Sequence, residues 1–210
     1  MDKILQSLAN SPAEATLRKA ADKVAKKRFD DAVDRLQKDF ETSAVTQEID
    51  GGIGADNISG TLRGGGATEN LYSFIGFPAG GETNPTEPIR ERLDPSHDDG
   101  PKLNYVGKDK RRNAIRYQFK VKGPNEDAIW ANTKWVWAPR MSWAKKIEGH
   151  IQGFSNFLAK HMPNASDAVS RSKGGTQLKK PIRSAEYQSP REGYLQTMFK
   201  KFYRRAKGEE

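Results

Sequence analysis

The 210-residue sequence contains no cysteine, and this absence excludes several kinds of site. Without thiols the chain has no disulfide framework, no cysteine nucleophile and no cysteine-ligated zinc ion. Three histidines remain as candidate metal ligands or bases. His150 and His161 share one predicted helix but lie about 16 Å apart along its axis, too far to bind one metal ion. His97 lies in a proline-rich loop where no partner ligand is indicated. We therefore predict no catalytic, cofactor-binding or metal-binding site, and no enzyme activity.

Long apolar runs are also missing. No stretch approaches the roughly 18 consecutive apolar residues of a membrane-spanning helix, and residues 1–10 lack the apolar core of a signal peptide. The sequence therefore predicts a protein that is neither secreted nor inserted into a membrane. Apolar residues make up 35% of the chain, and counting the glycines brings this share to about 44%, close to that of globular proteins. At this length we expect a single domain over residues 1–210.

The charge of the chain is divided between its halves. Residues 1–105 carry 13 Lys and Arg against 18 Asp and Glu, whereas residues 106–210 carry 23 against 9. The C-terminal segment, residues 171–210, is strongly basic. Such asymmetry indicates a face that meets an acidic partner, either nucleic acid or the acidic surface of another subunit. A basic surface that is merely solvated is the alternative.

A long helix is predicted near the N-terminus. Ser11 and Pro12 form a helix start, with Glu14 placed to hydrogen-bond back to the cap. Apolar residues then recur at helical spacing along one stripe, namely Leu17, Ala21, Val24, Ala32, Leu36 and Phe40. Run over residues 11–40, this helix is about 44 Å long. One compact core cannot cover that length, so we expect the helix to pack between subunits as well as within one.

Glycine and proline are concentrated in the middle of the chain. Ten of the 19 glycines lie within residues 51–81, and five of the 11 prolines lie within residues 78–101. We therefore predict extended loops over residues 43–70 and 78–112, ordered by assembly with neighbours. The glycine clusters lack the Gly-Lys-Ser/Thr ending of a nucleotide-binding loop, so we interpret them as linkers.

Short strands are predicted around and after these loops. The aromatic run over residues 71–77 predicts a strand that ends at Pro78, and a short helix is expected around residues 89–93. Four apolar residues alternate with polar ones, as in a strand with one buried face: Ile115, Tyr117, Phe119 and Val121. Residues 128–138 hold three of the four tryptophans and predict the partner strand. We expect these last two strands to pair as an antiparallel hairpin.

Two further amphipathic helices complete the predicted fold. The first starts near Ser142 and ends at Pro163, with Trp143 and Ile147 on its apolar stripe. The second starts at Ser189 and separates apolar from basic residues. Its expected apolar face consists of Leu195, Met198, Phe199 and Phe202. The fold class is α+β, with a long N-terminal helix, a small mostly antiparallel sheet, two further amphipathic helices and long Gly/Pro-rich loops.

The order of these features resembles virion proteins of tailed bacteriophages. A charged N-terminal helix is followed by Ile-Ser-Gly-Thr-Leu at residues 58–62, then by residues 70–77 and by Pro-Ile-Arg at residues 88–90. This part of the chain, residues 11–93, is similar to the minor tail protein Z-like family of neck and tail-completion proteins. That family has a Thr-Gly-x-Leu element after its first helix, where this chain has Ser-Gly-Thr-Leu.

The resemblance implies a structural protein of the phage head–tail junction. Such neck proteins assemble as rings between the head portal and the tail, around the channel through which DNA passes. Its partners would be copies of itself and the neighbouring neck, portal-side and tail ring proteins. Non-specific contact with channel DNA stays open, and no membrane is expected. The protein would reside in the neck or tail of the virion after assembly in the host cytoplasm.

Two functions thus compete: a ring-forming neck or tail-completion subunit, and a nucleic-acid-binding protein acting through its basic second half. We favour the first, because the acidic first half offers a protein partner for the basic C-terminal segment. Phe199, Phe202 and Tyr203 also offer apolar anchors that phosphate contacts do not require. The predicted interface residues are Leu36, Phe40, Arg111, Arg112, Lys200, Lys201, Arg204 and Arg205.

Overall fold

The α+β class predicted from the sequence is confirmed. The computed structural model describes residues 12–61, 70–77, 84–111, 114–135, 139–148 and 193–209. These residues form seven α-helices and one two-stranded antiparallel sheet. The helices are α1 Pro12–Glu41, α2 Ala44–Asp50, α3 Leu71–Ile75, α4 Glu87–Leu93, α5 Glu126–Asn132, α6 Trp143–Glu148 and α7 Leu195–Lys207. The strands are β1 Lys102–Arg111 and β2 Ala114–Lys122, and a 3₁₀ turn, Gly52–Gly54, follows α2.

The long N-terminal helix is confirmed as α1, although its predicted cap, Ser11, lies outside the described residues. The C-terminal half of α1 is buried through Phe29, Ala32, Val33, Leu36 and Phe40. Leu17 and Val24 do not continue this buried stripe as predicted, because they are 55% and 60% exposed. At about 100° per residue they lie about 20° from each other and roughly 100–120° from Leu36 around the helix. The spacing therefore places them on a flank of α1 and not on its buried face.

The last helix, α7, packs along the buried half of α1. Leu195, Phe199 and Phe202 are buried as predicted, and the Phe202 ring meets the Phe29 ring edge-on with centroids 6.1 Å apart. The helix begins at Leu195 instead of continuing from Ser189 as predicted. Tyr194 has a non-helical backbone, and the residue before it, a glycine, takes a positive φ of 72°. That conformation interrupts any helix entering from residue 192.

A short helix, α2, occupies part of the predicted loop over residues 43–70, so that prediction is wrong there. Val45, Thr46, Glu48 and Ile49 of α2 are buried. Burial of Val45 and Ile49, one turn apart, stabilises a helix that the neighbouring glycine clusters conceal in the sequence. Residues 62–69 of the predicted loop lie outside the described residues.

The aromatic run over residues 71–77 forms helix α3 and not the predicted strand. The Asn70 side chain accepts a hydrogen bond from the Ser73 amide at 2.9 Å, which caps the helix start. Gly76 ends the helix with a left-handed φ of 81°. Leu71 and Ile75, four residues apart, are fully buried. The two caps determine the structure of this short run, which has too few residues for its periodicity to decide.

A hairpin forms, but the predicted pairing of residues 115–121 with residues 128–138 is wrong. Strand β2 matches the predicted alternation, while its partner is β1, from within the predicted loop over residues 78–112. Val106 forms a bulge between the paired positions 105 and 107, and this shifts the alternation that would otherwise mark a strand. Residues 128–132 of the predicted partner strand instead belong to α5, which begins at Glu126 because the Asn125 side chain accepts a hydrogen bond from the Ala128 amide at 3.3 Å.

The remaining elements close the core around the end of α1. Helix α4 confirms the short helix predicted around residues 89–93, and α6 confirms the start of the helix predicted at Ser142. The ring of Phe40 lies 6.1 Å from that of Tyr194, and Phe77 meets Trp143 at 5.6 Å. The rest of the helix predicted from Ser142 and part of the basic segment fall in residues 149–192, outside the described residues. Among the described helices, none has the length and apolar character to span a membrane.

Candidate assembly interface

The N-terminal half of α1 and the β-hairpin lie side by side, and we call this pair the arm: residues 12–28 together with β1 and β2. The Arg18 guanidinium lies 4.5 Å from the centroid of the Tyr105 ring, a cation–π contact. The Tyr117 hydroxyl donates to the Glu14 carbonyl at 3.4 Å. Polar and cation–π contacts therefore join α1 to the hairpin, and the edge-on contact of the Tyr105 and Phe119 rings, 5.6 Å apart, lies within the hairpin itself.

Glu14 is the electrostatic centre of the arm. Its carboxylate accepts a hydrogen bond from Lys108 and lies 3.9 Å from the Lys110 ammonium, and only 8% of the residue surface is exposed. The hydrogen bond from Lys108 holds the pKa of Glu14 below its usual value. Glu14 therefore stays ionised and ties the tip of the hairpin to the first turn of α1.

One flank of the arm is apolar and exposed. We define the apolar flank as Leu17, Ala20 and Val24, three exposed residues along two turns of α1. On the hairpin, Val106 is 60% exposed and Ile115 is 39% exposed. Single exposed apolar residues are ordinary, but a row of them on one projecting element is a surface that another protein can cover. The angular positions of these residues around the helix could have identified the apolar flank from the sequence. The exposure of Val106 and Ile115 could not be predicted without the pairing register of the hairpin.

Two predicted interface residues lie inside the chain. Leu36 and Phe40 are 0% exposed and pack in the core. The prediction that the long helix packs within its own subunit is confirmed. Its packing between subunits stays a prediction, and the surface that α1 offers for it is the apolar flank. Arg111 ends β1 and pairs with Ala114 through the backbone, while Arg112 lies outside the described residues.

The four predicted cations of α7 fall into two groups. Lys200 and Arg204 are exposed, whereas Lys201 and Arg205 are half-buried. The Arg205 guanidinium lies 2.6 Å from the Asp39 carboxylate on α1 of the same chain. The sequence predicted that the acidic partner of Arg205 would lie on another copy. In the structure that partner is Asp39, in the first half of the same chain.

A partly exposed ion-pair cluster around Arg90 was not foreseen from the sequence. Arg90 binds both carboxylate oxygens of Glu41 at 2.7 and 2.9 Å, and it also binds Asp50 and the Thr86 hydroxyl. The hydrogen bonds that Arg90 donates to Glu41, together with the one it donates to Asp50, raise the pKa of Arg90 above its usual value. The cluster joins the ends of α1 and α2 to the start of α4. A shallow cleft of about 400 Å³ beside it is lined by Gln37, Phe40, Glu41, Glu87, Arg90, Glu91, Leu93 and Asp94.

The cluster is a structural junction, because each charge in it already has a partner in the chain. A second cleft of about 550 Å³ lies between α1 and the base of the hairpin, where Phe29, Leu103 and Phe119 are among its lining residues. In the described part of the chain, no group of three or more acidic or histidine side chains is arranged to hold a metal ion.

Comparison with known proteins finds no matching family model, no matching curated protein and no matching solved structure.

Proposed function

We propose that this chain is a structural subunit of a phage head–tail junction, a ring-forming neck or tail-completion protein that links the portal side of the head to the tail. The observation that carries the proposal is the arm. It extends a long helix beyond the core and leaves the apolar flank, Leu17, Ala20 and Val24, exposed. A row of exposed apolar residues along one helix is a surface that a neighbouring subunit would cover.

A ring requires the apolar flank to dock on a different surface of the next copy. A surface on the arm that docks on a different surface of the next copy is a heterologous contact, and such contacts close into rings when the rotation permits. The division of charge along the chain supports the same arrangement, since acidic residues of the first half on one copy would attract basic residues of the second half on the next. The other partners would be the adjacent neck, portal-side and tail rings. The protein would function in the virion, which is assembled in the host cytoplasm.

Cross-linking tests this proposal directly, because the chain has no cysteine of its own. Leu17→Cys and Val24→Cys would each carry a thiol-attached photo-crosslinker on the apolar flank. Lys19→Cys and Lys23→Cys, exposed on another side of the same helix, are the matched controls. We expect the flank positions to cross-link copies of the chain, or the chain to neighbouring ring proteins in assembled particles. Equal cross-linking from flank and control positions would contradict the proposal.

A further inference from the structure

One face of the hairpin is basic, and it points away from α1. Cross-strand partners share a face, and the pairs that contain Tyr105, Lys108 and Tyr117 face α1 through Arg18 and Glu14. The alternate pairs therefore face outward: Lys102 with Lys122, Asn104 with Lys120, Gly107 with Gln118, and Asp109 with Arg116. This face carries four cations against one carboxylate.

The cations on this face outnumber its one carboxylate, Asp109. Lys102 and Lys122 stand directly opposite each other, an arrangement that destabilises a hairpin in isolation. Lys102 is partly compensated by donating to the Pro95 carbonyl at 2.7 Å. Arg116, Lys120 and Lys122 are exposed, and among the described residues none of them forms an ion pair. A cost of this kind is offset when an anion covers the face.

The basic face continues onto α7. The Tyr203 hydroxyl accepts a hydrogen bond from the Gly123 amide, immediately after β2, at 2.9 Å. Lys200 and Lys207 are three residues before and four residues after Tyr203, so they lie on the same flank of α7. Both are exposed. The hydrogen bond thus joins the base of the hairpin to a basic helix flank.

We infer that this surface, which we call the basic band, binds the phosphate backbone of duplex DNA. The band consists of Arg116, Lys120, Lys122, Lys200 and Lys207. Alternate residues of a strand are about 7 Å apart, which is twice the rise of about 3.4 Å between phosphates on one DNA strand. Lys120 and Lys122 can therefore reach phosphates along one strand at the same time.

The chemistry of the band favours nucleic acid over an acidic protein. The other outward positions of the hairpin are Asn104 and Gln118, which hydrogen-bond to phosphate or sugar oxygens but provide no apolar anchor. The buried centres of protein interfaces are rich in aromatic residues and poor in lysine. The inference that the band binds DNA does not depend on the proposed function. Only the identification of that DNA as the DNA in the channel rests on it.

Binding by the full chain to a mixed-sequence duplex of about 30 base pairs, roughly three helical turns, tests the inference. Fluorescence anisotropy would be followed between about 50 and 200 mM salt. We expect Lys120→Glu with Lys122→Glu to weaken binding roughly tenfold or more at the lower salt and to make the salt slope shallower by about 2. The charge-matched control, Lys19→Glu with Lys23→Glu on α1, should keep the parent slope. Lys120→Gln with Lys122→Gln should give an intermediate loss.

The mass of each variant in solution separates this inference from the proposed function. Lost DNA binding with unchanged self-association supports the inference. Equal weakening by the α1 control overturns it, because the attraction would then come from net charge alone. A parent chain that assembles but does not bind DNA also overturns it and leaves the proposed function intact. Loss of self-association on reversal of Lys120 and Lys122 would instead assign the band to a protein partner.

Discussion

At the scale of single residues, Glu148 shows how one side chain sets the start of a distant helix. Its carboxylate, at the end of α6, accepts hydrogen bonds from the first amides of α7, those of Leu195 and Gln196, the latter at 3.1 Å. These amides have no partner within the helix, and a negative charge there is favourable. Burial nevertheless raises the pKa of Glu148, because desolvation outweighs the bonds from the amides. The hydrogen bonds of Glu148 therefore stabilise the start of α7, whereas burial of its negative charge destabilises the fold.

Substitution of Glu148 separates the cap from the charge. A carboxyl with a raised pKa stabilises the fold fully below its unfolded pKa, and this contribution is lost as the pH rises through the folded pKa. At about pH 7 we expect Glu148→Gln, which keeps an acceptor without the charge, to melt at or above the parent temperature. Glu148→Ala removes the acceptor and should lower the free energy of unfolding by about 1 kcal/mol.

Thermal unfolding across a pH series checks this expectation. The advantage of Glu148→Gln over the parent should disappear below about pH 4, where the parent is protonated as well. A glutamine variant that is less stable than the parent at neutral pH, and equal to it in acid, would show that the charge itself stabilises the helix start.

At the scale of elements, the two halves of α1 lie in different environments. Its C-terminal half belongs to the core through Leu36 and Phe40, while its N-terminal half belongs to the arm and exposes Leu17. One helix thus contains a segment that is buried in the core and a segment whose apolar residues are exposed.

Alanine substitutions in the two halves of α1 should change the free energy of unfolding by different amounts. Leu36→Ala leaves a cavity in the core and should cost about 2–5 kcal/mol of unfolding free energy. Leu17→Ala, the same chemical change on the exposed flank, should cost no more than about 0.5 kcal/mol. Chemical denaturation at a concentration where the protein is monomeric measures both. Similar losses at the two positions would mean that Leu17 is buried in the isolated subunit.

The elements also show what the sequence could predict and what it could not. The helix α1 and the apolar face of α7 were predicted correctly, since both have enough turns to show a helical period, but Leu17 and Val24 were wrongly assigned to the buried stripe of α1. Shorter elements depended on local chemistry: Asn70 and Gly76 convert an aromatic run into α3, and Val106 hides β1 by breaking its alternation. The basic band requires the cross-strand register and the Tyr203 contact, which no pattern along the chain contains.

At the scale of the whole molecule, the acidic and basic halves meet inside the chain. Asp39 pairs with Arg205, and Glu14 contacts Lys108. Each of these pairs takes up one positive and one negative charge, so the net charge of +9 is unchanged by them. Copies carrying such charge repel each other unless apolar contacts or a bound polyanion offset the repulsion. We expect the apolar flank to provide the apolar contacts and the basic band to bind the polyanion. A ring around DNA would use both surfaces.

The most direct test of this account is the mass of the full-length protein in solution over a series of concentrations, alone and with purified virion components, with electron microscopy of the products. We predict particles whose mass is a fixed multiple of the 23.5 kDa subunit, and which appear as closed rings with a central hole. Leu17→Asp with Val24→Asp should abolish these particles and leave the subunit folded. A parent protein that stays at 23.5 kDa at every concentration, and with every virion component, would contradict the account.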